Sequence, residues 1–187
     1  MKSEGSSPHE KLMGSQEPSV RITPEYIHTD GEDAVKILAA GRLFVDPWQE
    51  GVLHDWMGRT EEEIWSAPTC GLVMYAEWIV YTAHLQKTAT ETFMELKGLF
   101  ESRGLKKYVK EIKTALGREQ IILKNGGRVV FVARTRNGGR GLHGDLLVFD
   151  EAQELTSEQQ ASFLPAISAS RNPQTIYLGT PPDENCT

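Results

Sequence analysis

The stretch GDLLVFDEAQEL, residues 144–155, carries four consecutive apolar residues into two adjacent carboxylates, Asp150 and Glu151. A short apolar run bounded by glycine and by charge reads as a strand buried on both faces, the kind that parallel sheets use. Ligands of such sheets gather beyond the carboxyl ends of the strands, so the acid pair stands where chemistry is expected. A strand simply entering a turn would look the same. The neighbouring segments decide between the two readings.

On its N-terminal side, TRNGGRGLHG (135–144) is a basic, glycine-rich loop, and EQIILKNGGRVVFVAR (119–134) reads as a β-hairpin around Asn125-Gly126. EWIVYTAH (77–84) is strand-like, with Thr82 near its end. It feeds LQKTATETFMELKGLFESRG (85–104), where Phe93, Leu96 and Phe100 recur at helical spacing and Gly104 is the expected stop. On the far side, SEQQASFLPAISAS (157–170) is mostly helical and TIYLGT (175–180) is a second buried strand that ends in GTPP (179–182). Strands alternating with helices predict an α/β fold: a parallel sheet flanked by helices, with a β-hairpin insertion. Asp150-Glu151, Thr82 and Gly179-Thr180 then all fall at carboxyl strand ends. This is the arrangement of P-loop ATPases, in which the strand-end Asp takes magnesium and the next carboxylate polarises water.

Nearer the N-terminus, GEDAVKILAAG (31–41) and DPWQEGVLHDWMG (46–58) are short helices. The second has Pro47 after an Asp cap and Trp48, Val52, Leu53 and Trp56 on one face. Residues 1–18 are polar and aperiodic and read as a disordered tail, leaving 19–187 as one domain. Cys70 and Cys186 form no ligand pattern, so free thiols in a reducing cytosol are expected. No run of about 20 apolar residues suggests a membrane span. The net charge is −6, yet residues 97–140 hold twelve Lys or Arg against three Glu, a local +9 within an otherwise acidic chain. A basic segment of this kind is suited to phosphates of a nucleotide or of DNA.

DPWQ (46–49), YTAHLQKTATETF (81–93), NGGRVVFVARTRNGGRGLHGDLLVFDEAQEL (125–155) and TIYLGTPP (175–182) together resemble the ATPase domain of tailed-phage terminase large subunits, over roughly residues 18–183. The resemblance implies a DNA-packaging motor that uses ATP and Mg²⁺. Gln49 would contact adenine, Asp150 would hold the metal and Glu151 would be the catalytic carboxylate. Gly179, Thr180 and Pro181 would couple hydrolysis to DNA movement. Arg140, with Arg136 second, would act across subunits of a ring homo-oligomer. The implied partners are double-stranded DNA, a small terminase subunit and a portal, in the cytoplasm of a bacterial host and with no membrane.

The sequence departs from that pattern at one point. It contains no G-x-x-x-x-G-K-[ST] phosphate loop, whose backbone N–H groups and lysine grip the phosphates. AHLQKT (83–88) has Lys87-Thr88 but a glutamine where the glycine should stand. APTCGLVM (67–74) reads as the strand approaching the loop, and YAEWIVYTAH (75–84) follows at once. An internal deletion near 74–78 is the expectation, as is a truncation after 182 that would remove the nuclease domain implied by the resemblance. Impaired hydrolysis follows from the lost phosphate grip. The alternative is a non-catalytic remnant that binds DNA or a partner through the basic hairpin and loop. A DEAx-type helicase shares the DEAQ but also needs a phosphate loop and a second motor domain.

Overall fold

The computed structural model describes residues 23, 25–59, 78–171 and 173–179, which fall into two compact units divided after Ala67. In the first, β1 (His28–Thr29) pairs antiparallel with β2 (Gly58–Arg59), and between them run α1 (Gly31–Ala40) and α2 (Pro47–Trp56). Both helices lie where the sequence places them. Met57 and Ala34 are buried. Thr29 Oγ1 donates to the His54 carbonyl (2.6 Å) and accepts the Gly31 N–H (3.1 Å), linking strand and helices. The apolar face expected on α2 is largely exposed: Trp48, Val52 and Trp56 keep 45%, 50% and 36% of their surface.

The second unit is a six-stranded sheet. Its strands are β3 (Trp78–Ala83), β4 (Val109–Lys113), β5 (Gln120–Leu123), β6 (Arg128–Ala133), β7 (Leu146–Phe149) and β8 (Gln174–Tyr177), in the spatial order β4-β5-β6-β3-β7-β8. β6, β3, β7 and β8 are parallel neighbours, while β4 and β5 join antiparallel. The α/β class, the mostly parallel sheet and the β5–β6 hairpin are as expected. Gly126 (φ 97°) supplies the left-handed turn residue that a side chain would disfavour. Asn125 does not share it, because the hairpin closes through a wider loop in which Leu123 donates to the Gly127 carbonyl (2.8 Å).

Register dictates two cores. Val80 pairs with Leu147 and Thr82 with Phe149, so these four share one face. There Phe163 and Ile167 cover them from α4 (Ser157–Phe163) and the 3-10 turn after it. Tyr81 and Phe131 alternate to the other face, where Phe93 of α3 (Gln86–Phe100) meets Phe131 edge-on at 5.4 Å. Helices therefore flank both faces. α4 begins with a reciprocal cap: Thr156 Oγ1 accepts the Gln159 N–H and Gln159 Oε1 accepts the Thr156 N–H.

Three expectations need correction. The helix after β3 ends at Phe100, before Gly104, because Ser102–Tyr108 turns back through tight main-chain bonds. β4 is an additional strand, hidden in the sequence because five residues with two lysines and a glutamate carry a weak apolar signal; its stability comes from pairing with β5. β8 is half-exposed rather than buried, with Tyr177 keeping 49% of its surface, because it is the last strand on its side among the described residues. The 1–18 tail, the 67–74 strand, most of the 74–78 junction and both cysteines lie outside the described residues.

Phe163 is fully buried and meets Phe149 edge-on. Phe163→Ala should destabilise the fold by about 3–5 kcal/mol through lost burial and a residual cavity, measured as a lower urea midpoint at unchanged slope.

Candidate functional site

Asp150 and Glu151 leave the sheet at the carboxyl end of β7, between β3 and β8, as the strand reading requires. The Asp150 N–H donates to the Thr82 carbonyl (2.9 Å), which continues the β3–β7 ladder one residue past the strand. Both oxygens of its carboxylate are engaged. Oδ1 accepts the Glu151 N–H (2.9 Å), and Oδ2 accepts the Tyr81 hydroxyl, which also meets Thr92 Oγ1 at 3.0 Å. Burial, and then the bond to Asp150, raise the Tyr81 pKa well above the ordinary phenol value, so this hydroxyl stays a donor.

Glu151 adopts a left-handed backbone (φ 52°, ψ 50°), a conformation costing a non-glycine residue on the order of 1 kcal/mol. The turn sends its side chain back over β3, where Oε2 accepts the His84 N–H (3.2 Å). Main-chain bonds secure the same corner: Leu178 donates to the Phe149 carbonyl (2.8 Å) and Ala152 to the Leu178 carbonyl (2.7 Å). The opposite end of the strands holds another acid, with a different task. Asp145 accepts from the Trp78 N–H (2.9 Å) and the Ser170 hydroxyl (2.8 Å) and fastens the amino ends together.

Arg134, counted in the basic segment, is buried at 4% exposure and is not a surface charge. Its Nη1 donates to the carbonyls of Thr82 (3.1 Å) and Asp150, and its Nη2 to that of Glu151 (3.0 Å). Burial lowers its pKa and the nearby Glu151 and Asp150 oppose that shift. Sequence reading points to Thr82 but misses Tyr81 and Arg134 as parts of this site. The available signal is their position, since each lies within three residues of a carboxyl strand end.

The remaining candidates are spread out. Gly179 follows β8 beside Gln153, whereas Thr180 and Pro181 lie outside the described residues. Arg140 is exposed on the glycine-rich loop, lining an open groove of about 460 Å³ with Leu142, His143 and Ser162. Arg136 pairs with Glu158 at 3.2 Å. The loop lies close on α4 at Gly139, where a Cβ would sit 2.2 Å from the Ser162 carbonyl. In the other unit, Gln49 caps its own helix, its Oε1 accepting the Asp46 N–H (2.8 Å). Lys87 is exposed and pairs with Glu91 at 3.7 Å.

Two carboxylates on one strand end form a hard oxygen donor set. It fits magnesium arriving with phosphate oxygens, which commonly needs only one or two protein carboxylates. It does not form a self-sufficient metal cage: among the described residues no cluster of three or more His, Cys, Asp or Glu could hold an ion. Among them, too, no helix is long and apolar enough to cross a membrane.

No protein-family model matches the sequence, and no curated protein does. Among solved structures the chain is similar to the large terminase of bacteriophage HK97, with a TM-score of 0.59 and 16% identity, over 82% of this chain and 38% of that one. The large terminase of a thermophilic bacteriophage, in complex with ADP, matches at a TM-score of 0.41 and 16% identity, over 55% of this chain and 25% of its own. Another crystal form of the thermophilic phage protein gives 0.42 and 13%, over 55% and 26%. At these identities the HK97 likeness concerns the fold, and this chain spans well under half of that protein's length.

The wild-type minus Tyr81→Phe difference spectrum should develop a tyrosinate band only well above pH 10, the ordinary phenol range. The folded pKa is raised, so the stability contributed by the neutral hydroxyl is fully present below about pH 10 and is lost as pH climbs toward the folded value. A band centred near pH 10 in the folded protein would contradict the burial of this hydroxyl.

Proposed function

We propose that this chain is part of the ATPase domain of a viral DNA-packaging motor of the terminase large-subunit kind, with hydrolysis impaired by the missing phosphate loop. The observation that carries the reading is the Asp150-Glu151 pair at the carboxyl end of a central parallel strand, within a fold similar to that of the HK97 large terminase. Magnesium bound with a nucleotide would neutralise phosphate charge. Asp150 is the residue suited to hold it, its carboxylate oriented by the Tyr81 hydroxyl and the Glu151 N–H. Glu151 carries the carboxylate suited to orient an attacking water and accept its proton. Gly179, at the end of the neighbouring strand, is the segment through which a change at the phosphates would reach the rest of the motor, together with Thr180. Arg140, exposed on its loop, is available to a neighbouring subunit's nucleotide, and Gln49, whose Oε1 caps its own helix, would meet an adenine ring through its amide nitrogen.

Positioning and charge neutralisation supply most of the catalysis of phosphoryl transfer. The chain as it stands should therefore release phosphate from Mg-ATP only at background rate. Turnover that Glu151→Gln abolishes would overturn the impairment. Inserting a segment that carries G-x-x-x-x-G-K-T and a following helix between Met74 and Trp78 should create hydrolysis. That activity should fall about 10²-fold or more in Glu151→Gln. A folded, ATP-binding insertion protein indifferent to both Glu151→Gln and Asp150→Asn would sink the motor reading.

A second reading, DNA binding without nucleotide, draws on β4, the last strand on its side among the described residues, where Lys110 and Lys113 are exposed near Lys106 and Lys107. Lysines also protect sheet edges from pairing, so the test is specific. Lys110→Glu with Lys113→Glu should weaken DNA binding and flatten its dependence on salt. Unchanged binding in the double variant would leave the lysines as edge protection.

A further inference from the structure

We propose that Arg134 is a positioning residue of the carboxylate site: its guanidinium sets the direction in which the Asp150 and Glu151 side chains leave the sheet. The inference rests on reading those carboxylates as the metal- and water-facing pair. An arginine at 4% exposure needs partners for its charge, and salt-bridging carboxylates are the usual ones. Here the fork instead bonds three main-chain carbonyls, those of Thr82, Asp150 and Glu151. Its own N–H donates to the Ala83 carbonyl (2.8 Å). One residue thus joins the ends of β6, β3 and β7.

The geometry explains why the side chains follow. The Asp150 carbonyl belongs to the peptide plane before the Glu151 Cα, and the Glu151 carbonyl to the plane after it. Holding both planes fixes φ and ψ of Glu151, and with them the direction of its Cα–Cβ bond. This residue is the one in the corner with a left-handed backbone. Asp150 is fixed likewise, since the Phe149 carbonyl before it accepts the Leu178 N–H (2.8 Å) and its own carbonyl accepts Arg134. Only a planar guanidinium offers donors in the rigid fork that this requires; a lysine keeps the charge and loses the fork.

The test uses isotope-labelled full-length chain with Mn²⁺ as the probe. In the unaltered protein, paramagnetic broadening should start at the amides of residues 150–151. Arg134→Lys should shift the carbonyl ¹³C signals of Thr82, Asp150 and Glu151 and weaken Mn²⁺ binding at least about tenfold. Arg134→Ala should recover both on addition of ethylguanidinium, which restores the fork but not the tether. A folded Arg134→Lys protein with unaltered carbonyl signals and unaltered Mn²⁺ affinity overturns the proposal. So does ethylguanidinium that raises the melting temperature of Arg134→Ala without restoring the signals of residues 150–151. Mn²⁺ that fails to find residues 150–151 in the unaltered chain overturns instead the metal reading on which the proposal rests.

Discussion

A buried guanidinium bonded to the carbonyls of Thr82, Asp150 and Glu151 holds the corner from which the whole site is built. Taking such a charge out of water costs several kcal/mol, and an unbonded carbonyl at a buried strand end costs roughly 1–3 kcal/mol. Of the three carbonyls, those of Thr82 and Glu151 also accept main-chain N–H groups, from Asp150 (2.9 Å) and Glu154 (3.0 Å). The Asp150 carbonyl is therefore the one that relies on Arg134, whose own Nε is buried without a partner among the described residues. The nearby negative charges of Glu151 and Asp150 add to the balance by opposing the effect of burial on the arginine. The left-handed backbone of Glu151 persists under these bonds.

The consequence is a pair of carboxylates held by neutral donors. Asp150 meets a hydroxyl and an N–H, and Glu151 meets an N–H. Hydrogen bonds of this kind orient a carboxylate without cancelling its charge, which is what the ligand of a hard cation needs. The phosphates that would share such a cation need their own grip, and the sequence offers no glycine-rich loop with a lysine to provide it. The corner in the structure and the missing loop in the sequence are the two separate observations behind the proposal of an impaired motor.

The basic segment changes meaning once folded. Of its twelve cations, Arg134 is buried, Arg128 lies over the Trp78 ring at 3.8 Å and Arg136 pairs with Glu158. Lys97 lies 3.8 Å from Glu101, and Lys124 donates to the Lys107 carbonyl (2.6 Å). A local charge of +9 along the chain is therefore a smaller positive surface, spread over exposed Arg103, Lys106, Lys107, Lys110, Lys113, Arg118 and Arg140. Linear charge counts do not distinguish a cation that serves the fold from one that faces a partner.

Most elements and their order are legible in the chain alone. The 144–155 stretch reads as a buried strand ending in acids, because glycine and charge bound a run too short for a buried helix and the flanking segments supply its partners. The α/β alternation, the hairpin at Asn125-Gly126 and the placement of Asp150 and Glu151 at a carboxyl strand end follow from patterns local in the chain. The partners of the site depend instead on residues distant in sequence. Tyr81 reaches Asp150 across 69 positions, and Arg134 joins carbonyls on two other strands. β4 exists because β5 offers it a partner, and β8 is half-exposed because of where it falls in the sheet. Pattern reports what a segment prefers, whereas hydrogen-bond partners and burial are fixed only when the strands are laid side by side.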